Sequence, residues 1–425
     1  MYNYNKVSNQ MKDFCINFSL KLSHSLNKPI VKAINDFVFG IIKSNSCLLS
    51  EISRALKENI KIKDTVDRLS KNLEKIYMLK NIIYNNYYKI IKDKINNDTF
   101  FHIDNSDVNK NKSNALEDLD WVKDGSSEKH ETVKGYWVTK IIATNGVDSL
   151  PIILYSHIFS TITKGFKSMN IETFKAISKI VKYFGKIGTY VMDKGYDDSK
   201  YFKAFLESKI KFVVRGKKNR NVIYKGKKIN ILDLASNFKG KINIKLIIKG
   251  KVLNRKCSYA EIFIPSINKK LTVIFVYFKS DIAIFYTNRE INCKKDVITC
   301  INAYYMRWRI EEYIKFKKQQ FDFENYRVRS LSKMNALNLL LNFSITCISL
   351  MISNSDKLKQ TILYYAKAIK NIVYFEYYRI ASGIYEILKH NIKGVRHLLI
   401  SKKENLVQLT LFDPIFFDFL NFAET

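Results

Sequence analysis

Three carboxylates sit where chemistry on a phosphate would need them. Asp104 closes the apolar run Thr99-Phe-Phe-His-Ile103, Asp193 closes Thr189-Tyr-Val-Met192, and Glu311 lies on a helical segment farther along. Short runs rich in apolar, β-branched and aromatic residues read as strands. An aspartate at a strand end is held rigidly and faces an open edge, where a cation and a phosphate can enter. Hard oxygen ligands suit Mg²⁺, which keeps part of its water shell and takes only a few carboxylates. Two such ions roughly 3.5–4 Å apart can activate an attacking oxygen and stabilise the leaving one. Aspartate is also common at strand ends for turn chemistry alone, so position by itself leaves both readings open.

The segment around Glu311 adds a second signal. It reads Tyr304-Tyr-Met-Arg307-Trp-Arg-Ile-Glu311-Glu-Tyr-Ile-Lys-Phe-Lys-Lys318. On a helix of 3.6 residues per turn, Tyr304, Arg307, Glu311 and Lys318 fall within an arc of roughly 60°. Met306, Ile310 and Tyr313 lie opposite and pack inward. One stripe then carries a carboxylate flanked by two cations and a phenol, which can seat a metal while gripping phosphates on either side. The competing reading is a solvated face of i,i+4 ion pairs, such as Arg307 with Glu311. Glu312 points about 100° from Glu311 and is assigned to the surface or to support. Asp197 and Asp198 read as the start of the next helix, where acids complement the dipole. His102 shares the strand face of Asp104 by alternation and reads as a core or sheet histidine.

These residues need elements to position them. Residues 1 to about 95 read as helical and basic. Ser50 is expected to cap a short helix ending at Leu56, and Asp64 a second one with Val66, Leu69 and Leu73 inward. Lys63, Arg68, Lys71 and Lys75 would face solvent, so the pair reads as a helix-turn-helix or as an ordinary basic hairpin. Lys110 to Glu131 is polar and loop-like. Tyr136–Thr144 and Leu150–Ile158 are strand candidates joined through Asn145-Gly146, a dipeptide suited to a hairpin. Ile171–Phe184 and Ser199–Ser208 read as helices, and Lys211–Val214 as a strand. From 217 to 289 lysines alternate with apolar residues, as in Ile242–Ile248, which suggests a mainly β insertion. Helical texture returns near Lys294. The expected fold is α/β: a mixed sheet with an antiparallel start, a mainly β insertion and helical N- and C-terminal regions.

Composition bounds the partner. The 425 residues include 72 Lys plus Arg against 39 Asp plus Glu, a net charge of +33, with 47% hydrophobic residues. That is enough apolar content to exclude wholesale disorder. The charge points to a polyanion, nucleic acid before an anionic membrane surface. A low Gly and Pro content beside abundant Lys, Asn and Ile shows that compositional drift contributes to it. Lys217, Lys218, Arg220, Lys225, Lys227 and Lys228 form a basic stretch entering the insertion, read as a phosphate contact or a solvated β face. The greasiest run, Ala336–Ile352, contains Asn338 and Asn342 and reads as a buried helix. The start, Met1-Tyr-Asn-Tyr-Asn-Lys, lacks the order of a signal peptide. The six cysteines form no C-x-x-C pair and read as reduced thiols in a cytoplasmic protein. No phosphate-binding Gly-Lys loop is present, so a nucleotide cofactor is not expected.

With these residues in place, the chain resembles the bacterial cut-and-paste DDE transposases of the insertion-sequence-four family. Their Tyr-x2-Arg-x3-Glu-x6-Lys signature is matched at Tyr304, Arg307, Glu311 and Lys318. Ile103-Asp104-Asn-Ser-Asp-Val108 looks like the family's first-aspartate motif and Lys134-Gly-Tyr-Trp137 like its next strand. Val191-Met-Asp193-Lys-Gly-Tyr-Asp197 looks like the second-aspartate motif and Phe212-Val-Val-Arg215 like the strand after it. The likeness runs from about residue 99 to 350.

The resemblance implies an RNase H-like catalytic core over 97–216 and 290–352 and a β-rich insertion over 217–289. Outside it, the helical and basic texture gives a DNA-binding region over 1–96 and a helical C-terminal region over 353–425. The resemblance assigns Asp104, Asp193 and Glu311 to catalysis and to two Mg²⁺ ions, with Mn²⁺ as a substitute, and it favours Asp104 over Asp107. Tyr304, Arg307 and Lys318 become DNA contacts, and Arg215, Lys217, Lys218 and Arg220 are read beside them as DNA contacts from their charge. The implied activity cleaves element ends and joins the 3′-hydroxyl to target DNA. A metal-dependent nuclease and an inactive DNA-binding remnant are the alternatives. The implied partners are double-stranded DNA, as terminal inverted repeats and target, and a second copy of the chain when DNA is bound. The implied location is the bacterial cytoplasm, at the nucleoid when DNA-bound, with no membrane partner. Some relatives use an insertion Trp to hold a flipped base. Here only Trp121, Trp137 and Trp308 occur, which leaves Phe285 or Tyr286 as substitutes.

Overall fold

The computed structural model describes residues 4–125, 127, 131–145, 151–248, 251–368 and 375–389. Five helices come first: α1 (Tyr4–Leu22), α2 (Lys28–Ser44), α3 (Leu49–Leu56), α4 (Ile62–Met78) and α5 (Lys80–Ile91). The sheet then opens with β1 (Phe100–Asn109), β2 (Asp120–Lys123), β3 (Thr132–Thr144) and β4 (Ile152–Phe159). Next come α6 (Met169–Phe184), β5 (Thr189–Met192), α7 (Ser199–Glu207) and β6 (Phe212–Arg215). The insertion holds β7 (Asn221–Tyr224), β8 (Lys227–Asn230), α8 (Ile231–Phe238), β9 (Ile242–Ile248), β10 (Lys251–Ile264), β11 (Lys269–Tyr277) and β12 (Ile282–Thr287). The chain continues through α9 (Lys294–Tyr305), α10 (Trp308–Gln320), α11 (Leu331–Ser353), α12 (Asp356–Tyr365) and α13 (Tyr377–Lys389).

β1 pairs antiparallel with β3, and β3 with β4. On its other side β1 pairs parallel with β5, and β5 with β6. The order β4-β3-β1-β5-β6, three antiparallel strands followed by two parallel ones, is the sheet expected of an RNase H-like core. The insertion joins this sheet directly, because β12 pairs antiparallel with β6 and carries β11, β10 and β7 outward. It is mainly β as read from sequence, with α8 as an unanticipated helix. Residues 146–150, which include Gly146 of the expected turn, and residues 390–425 lie outside the described residues.

The outer edge of β4 shows why the terminal helices are part of this fold. An unpaired strand edge presents a row of carbonyl and amide groups that must be satisfied. The Tyr87 and Tyr88 hydroxyls on α5 donate to the Ile153 and Leu154 carbonyls at 2.6 and 2.9 Å. Asn335 on α11 both accepts from the Ile158 amide and donates to its carbonyl, each at 2.8 Å. Asn338 donates to Ser156 Oγ at 2.9 Å. The asparagines in the greasy run therefore serve a strand. α11 is long and apolar enough to cross a membrane by length and composition, yet it is almost wholly buried, as the sequence reading expected.

Two caps differ from expectation. α3 starts at Leu49 with Leu48 in the capping position, and α4 is preceded by Lys61, which leaves Asp64 inside its first turn. Asp64 still faces the positive end of the helix dipole there. Leu69 and Leu73 are buried as read. Arg68 is not a solvated cation. It donates to Asp36 Oδ2 and Glu58 Oε2, both at 2.7 Å, because those two acids are buried and need a partner. Removing one member of a buried ion pair typically costs about 3–5 kcal/mol. Arg68→Met should therefore lower the melting temperature clearly in thermal unfolding, and an unchanged melt would show the cluster to be dispensable.

Candidate active site

Asp104 lies inside β1 rather than at its end, a correction to the sequence reading. β1 runs five residues farther, to Asn109. The parallel pairing with β5 nevertheless stops at His102 opposite Val191. Asp104 thus sits just where β1 outruns its neighbour, and Asp193 follows the last residue of β5. Gly188 permits this close register at φ +69°, where an added Cβ would lie 2.7 Å from Phe101 and from the Thr99 carbonyl. Thr139 donates to Asn105 Oδ1 at 2.6 Å and locks β1 beside the acid.

The stripe predicted on one helix is carried by two. α9 ends at Tyr305 and α10 starts at Trp308, joined by a tightened turn in which the Arg307 amide donates to the Tyr304 carbonyl at 2.9 Å. The Tyr304 hydroxyl donates to Asp193 Oδ1 at 2.9 Å. Arg307 Nη2 lies 2.8 Å from Glu311 Oε1 and 3.9 Å from Asp193 Oδ2. Met306, Ile310 and Tyr313 are buried behind it. Burial works against the Arg307 charge, but Asp193, Tyr304, Glu311 and Asp104 hold its pKa above the ordinary value. Burial, with Asp193 beside it, pushes the Tyr304 phenol up to about 12.

Asp104 belongs to the same electrostatic cluster. Its carboxyl is raised to about 6, first by burial, then by Asp193 and Glu311, against the lowering fields of Arg307 and Lys140. It makes no hydrogen bond or ion pair with a described residue. Among the described residues no group of three His, Cys, Asp or Glu side chains stands ready to hold a metal ion. Arg307 occupies the space between two of the three acids. The donor chemistry fits Mg²⁺ all the same: three hard carboxylates, one of them unpartnered, with more negative charge than one guanidinium offsets.

Sequence reasoning missed Lys140. It stands opposite Asp104 in the β1–β3 register, is buried, and donates to Ser106 Oγ at 2.6 Å. Burial and Lys318 pull its ammonium down to about 7 against the fields of Asp104, Asp107 and Glu324. Its signal was visible as a lone charge in the apolar run Trp137–Ala143. Lys318 is held by Asp107 at 3.2 Å and Glu324 at 2.9 Å, away from the Arg307 cluster. Asp107 is therefore a buried structural acid here. His102 is buried with Nε2 2.8 Å from Thr144 Oγ1, a sheet histidine. Asp198 caps α7 through the Lys200 amide at 2.7 Å.

Asp197 is put to another use than starting a helix. It is buried, accepts from the Lys217 amide at 2.6 Å, and takes Arg220 Nε at 3.0 Å. Arg220 is thereby turned inward from the basic stretch. Lys218 pairs with Asp281, and Lys217, Lys225, Lys227 and Lys228 are exposed. Arg215 lies over the Phe285 and Tyr304 rings at 5.2 and 5.8 Å. Phe285 and Tyr286 are fully buried, with Phe285 packed on Tyr304 at 4.9 Å, so neither ring is open to a flipped base.

The Asp104 shift has a sign that can be worked out. A pKa above the 3.8 of a free side chain means that the folded, metal-free protein binds this proton more tightly than the unfolded chain. That stability is present in acid and is lost as pH rises through about 6. In the presence of a chelator, Asp104→Asn should therefore melt higher than the parent at neutral pH and alike near pH 4. A variant that melts lower at neutral pH would contradict the clustered-acid geometry.

Residues 162–347 match the family model for the transposase DDE domain, a segment that contains Asp193 and Glu311 and begins after Asp104. No curated protein matches the chain. Among solved structures, it is similar to piggyBac transposase in a synaptic complex with hairpin DNA, at 10% identity over 97% of this chain and 87% of that one, with a TM-score of 0.45. It is also similar to the NurA nuclease from Sulfolobus solfataricus, at 14% identity over 55% of this chain and 84% of that one, with a TM-score of 0.25.

Proposed function

We propose that the chain is a DNA transposase that cuts the ends of its element and joins the freed 3′-hydroxyl to target DNA. The observation that carries this reading is the gathering of Asp193 and Glu311 on one guanidinium, with the Asp104 carboxyl in their shared field. Acids so placed on a strand, a strand end and a helix suit phosphoryl transfer, where positioning and electrostatics supply most of the catalysis.

Asp104, Asp193 and Glu311 are the residues that would hold Mg²⁺, or Mn²⁺ in its place. When bound, a pair of such ions supplies an activated hydroxyl and stabilises the leaving oxygen. The chain's own groups do the rest. Tyr304 fixes the rotamer of Asp193 through its hydrogen bond. Arg307 stands between two carboxylates in the DNA-free protein and is the cation placed to turn onto a phosphate oxygen, in the bidentate manner guanidinium favours. Lys318 braces the end of β1 through Asp107 and reaches DNA only by exchanging that partner. Arg215, stacked beside Tyr304, extends the grip toward the insertion. The helices of 1–96 serve as a further DNA-binding region, and two copies bridge a pair of inverted repeats in the cytoplasm.

Asp193→Ala or Glu311→Gln should reduce cutting by at least about a thousandfold, as loss of a group acting only in the transition state does, while duplex binding persists. The assay combines protein, Mg²⁺, DNA bearing the short inverted repeats that flank the gene, and a plasmid target. Joined products identify a transposase. Cut ends without joining identify a nuclease on the same fold, and normal turnover in either variant overturns the site assignment.

A further inference from the structure

We propose that Asp197 and Arg220 are positioning residues for the reaction at Asp193. They anchor the short turn that carries Asp193 to the loop entering the β insertion, and so act through Asp193 and not on DNA. This inference rests on the transposase reading, and it gives Arg220 a task other than the phosphate contact its charge suggested.

Asp193 needs such an anchor. It follows the last residue of β5, and its side chain is 43% exposed. The Tyr304 hydroxyl holds the carboxylate at 2.9 Å, with Arg307 farther off at 3.9 Å. Those contacts orient the side chain and leave the backbone beneath it to be fixed from elsewhere. That backbone runs into a 3₁₀ turn over Lys194–Tyr196. The Tyr196 amide donates to the Asp193 carbonyl at 2.9 Å, the Asp197 amide to the Lys194 carbonyl at 3.2 Å, and the Asp198 amide to the Tyr196 carbonyl at 2.8 Å. A turn bonded at each step passes on a displacement of its far end.

Asp197 is that far end. Its side chain is fully buried, and its two oxygens take two points of one loop. Oδ2 accepts from the Lys217 amide at 2.6 Å, and Oδ1 accepts from Arg220 Nε at 3.0 Å and from Nη2. Nη2 also donates to the Asp197 carbonyl at 3.4 Å. A guanidinium is a rigid fork, so two of its nitrogens on one residue fix direction as well as distance.

The loop is pinned to the insertion in turn. Arg220 lies over the Phe202 ring of α7 at 5.2 Å and the Tyr286 ring of β12 at 5.7 Å. Its carbonyl accepts from the Ile231 amide at the start of α8 at 3.0 Å. Gly216 heads the loop where an added Cβ would lie 2.7 Å from Tyr286 and 2.8 Å from Ile284. A buried ion pair adds little stability over an apolar pair of the same volume, so what this one supplies is a fixed geometry. Phosphoryl transfer is sensitive to it, because a displacement of about 1 Å made far from the chemistry can cost about a hundredfold in rate.

The test uses the full chain and the variants Arg220→Gln, Asp197→Asn and the two together. Arg220→Gln alone leaves a buried carboxylate unpaired and should melt lower, whereas the double variant removes both charges and should regain that stability. Hydrogen exchange at the 194–198 amides is followed without metal or DNA. Protection there should fall by about tenfold or more in the double variant, while the Tyr190 amide on β5 keeps its own. Cutting of element-end duplex at saturating Mg²⁺ and DNA should fall by about ten- to a hundredfold in the double variant. Duplex affinity and its salt dependence should stay as in the parent.

Cutting that recovers together with the melting temperature in the double variant overturns the positioning role and leaves the transposase reading standing. Exchange at 194–198 equal to the parent's does the same. A salt slope shallower by about 0.9 in Arg220→Gln also overturns it, by making Arg220 a phosphate contact. A parent chain that cuts no such duplex overturns both readings.

Discussion

Three carboxylates share one guanidinium in this protein, and the imbalance organises the site. Arg307 meets Glu311 directly and Asp193 at longer range, and Asp104 feels it through the field alone, with no hydrogen bond or ion pair to a described residue. Lys140, opposite Asp104 in the sheet, has its own ammonium pulled down to about 7 by burial and by Lys318. The Asp104 carboxyl answers by holding its proton to about pH 6. Such clustering of acids is unfavourable for the protein by itself. The cost is tolerated because the acids are mounted on elements whose positions are set by unrelated packing.

The turn at Met306 and Arg307 is one of those settings. A continuous helix would carry Tyr304, Arg307, Glu311 and Lys318 on one stripe aimed one way. The tightened turn lets Tyr304 and Arg307 close on Asp193 while Lys318, farther along α10, closes on Asp107 and Glu324. Two charge clusters result, with Lys140 in the field of both. The site is thereby tied to the far half of β1, the same strand that carries Asp104.

The helices that flank the sheet do more than cover it. β4 would be an open edge, and its Ile153 and Leu154 carbonyls are taken by tyrosines from α5 and its Ile158 amide by an asparagine from α11. Buried polar groups satisfied this way fix a unique arrangement, since each has one partner within reach. The basic N-terminal region is therefore joined to the sheet that carries Asp104 by hydrogen bonds as well as by apolar contact.

Much of this was legible in the sequence because it is local. Apolar runs marked β1, β3, β4, β5 and β6, helical spacing marked α6 and α7, and lysine-apolar alternation marked the insertion as β. The residue types and spacing at Tyr304, Arg307 and Glu311 sufficed to nominate a phosphate site. What the sequence could not disclose depended on partners distant along the chain. Arg68 read as a solvated cation and Arg220 as a DNA contact until Asp36 and Asp197 were found buried beside them. Phe285 and Tyr286 read as stacking candidates until the sheet enclosed them. Lys140 gained its place only through the β1–β3 register. Periodicity is written into neighbouring residues, whereas burial and charge pairing are set by contacts between residues tens to hundreds of positions apart, and only the folded chain decides those.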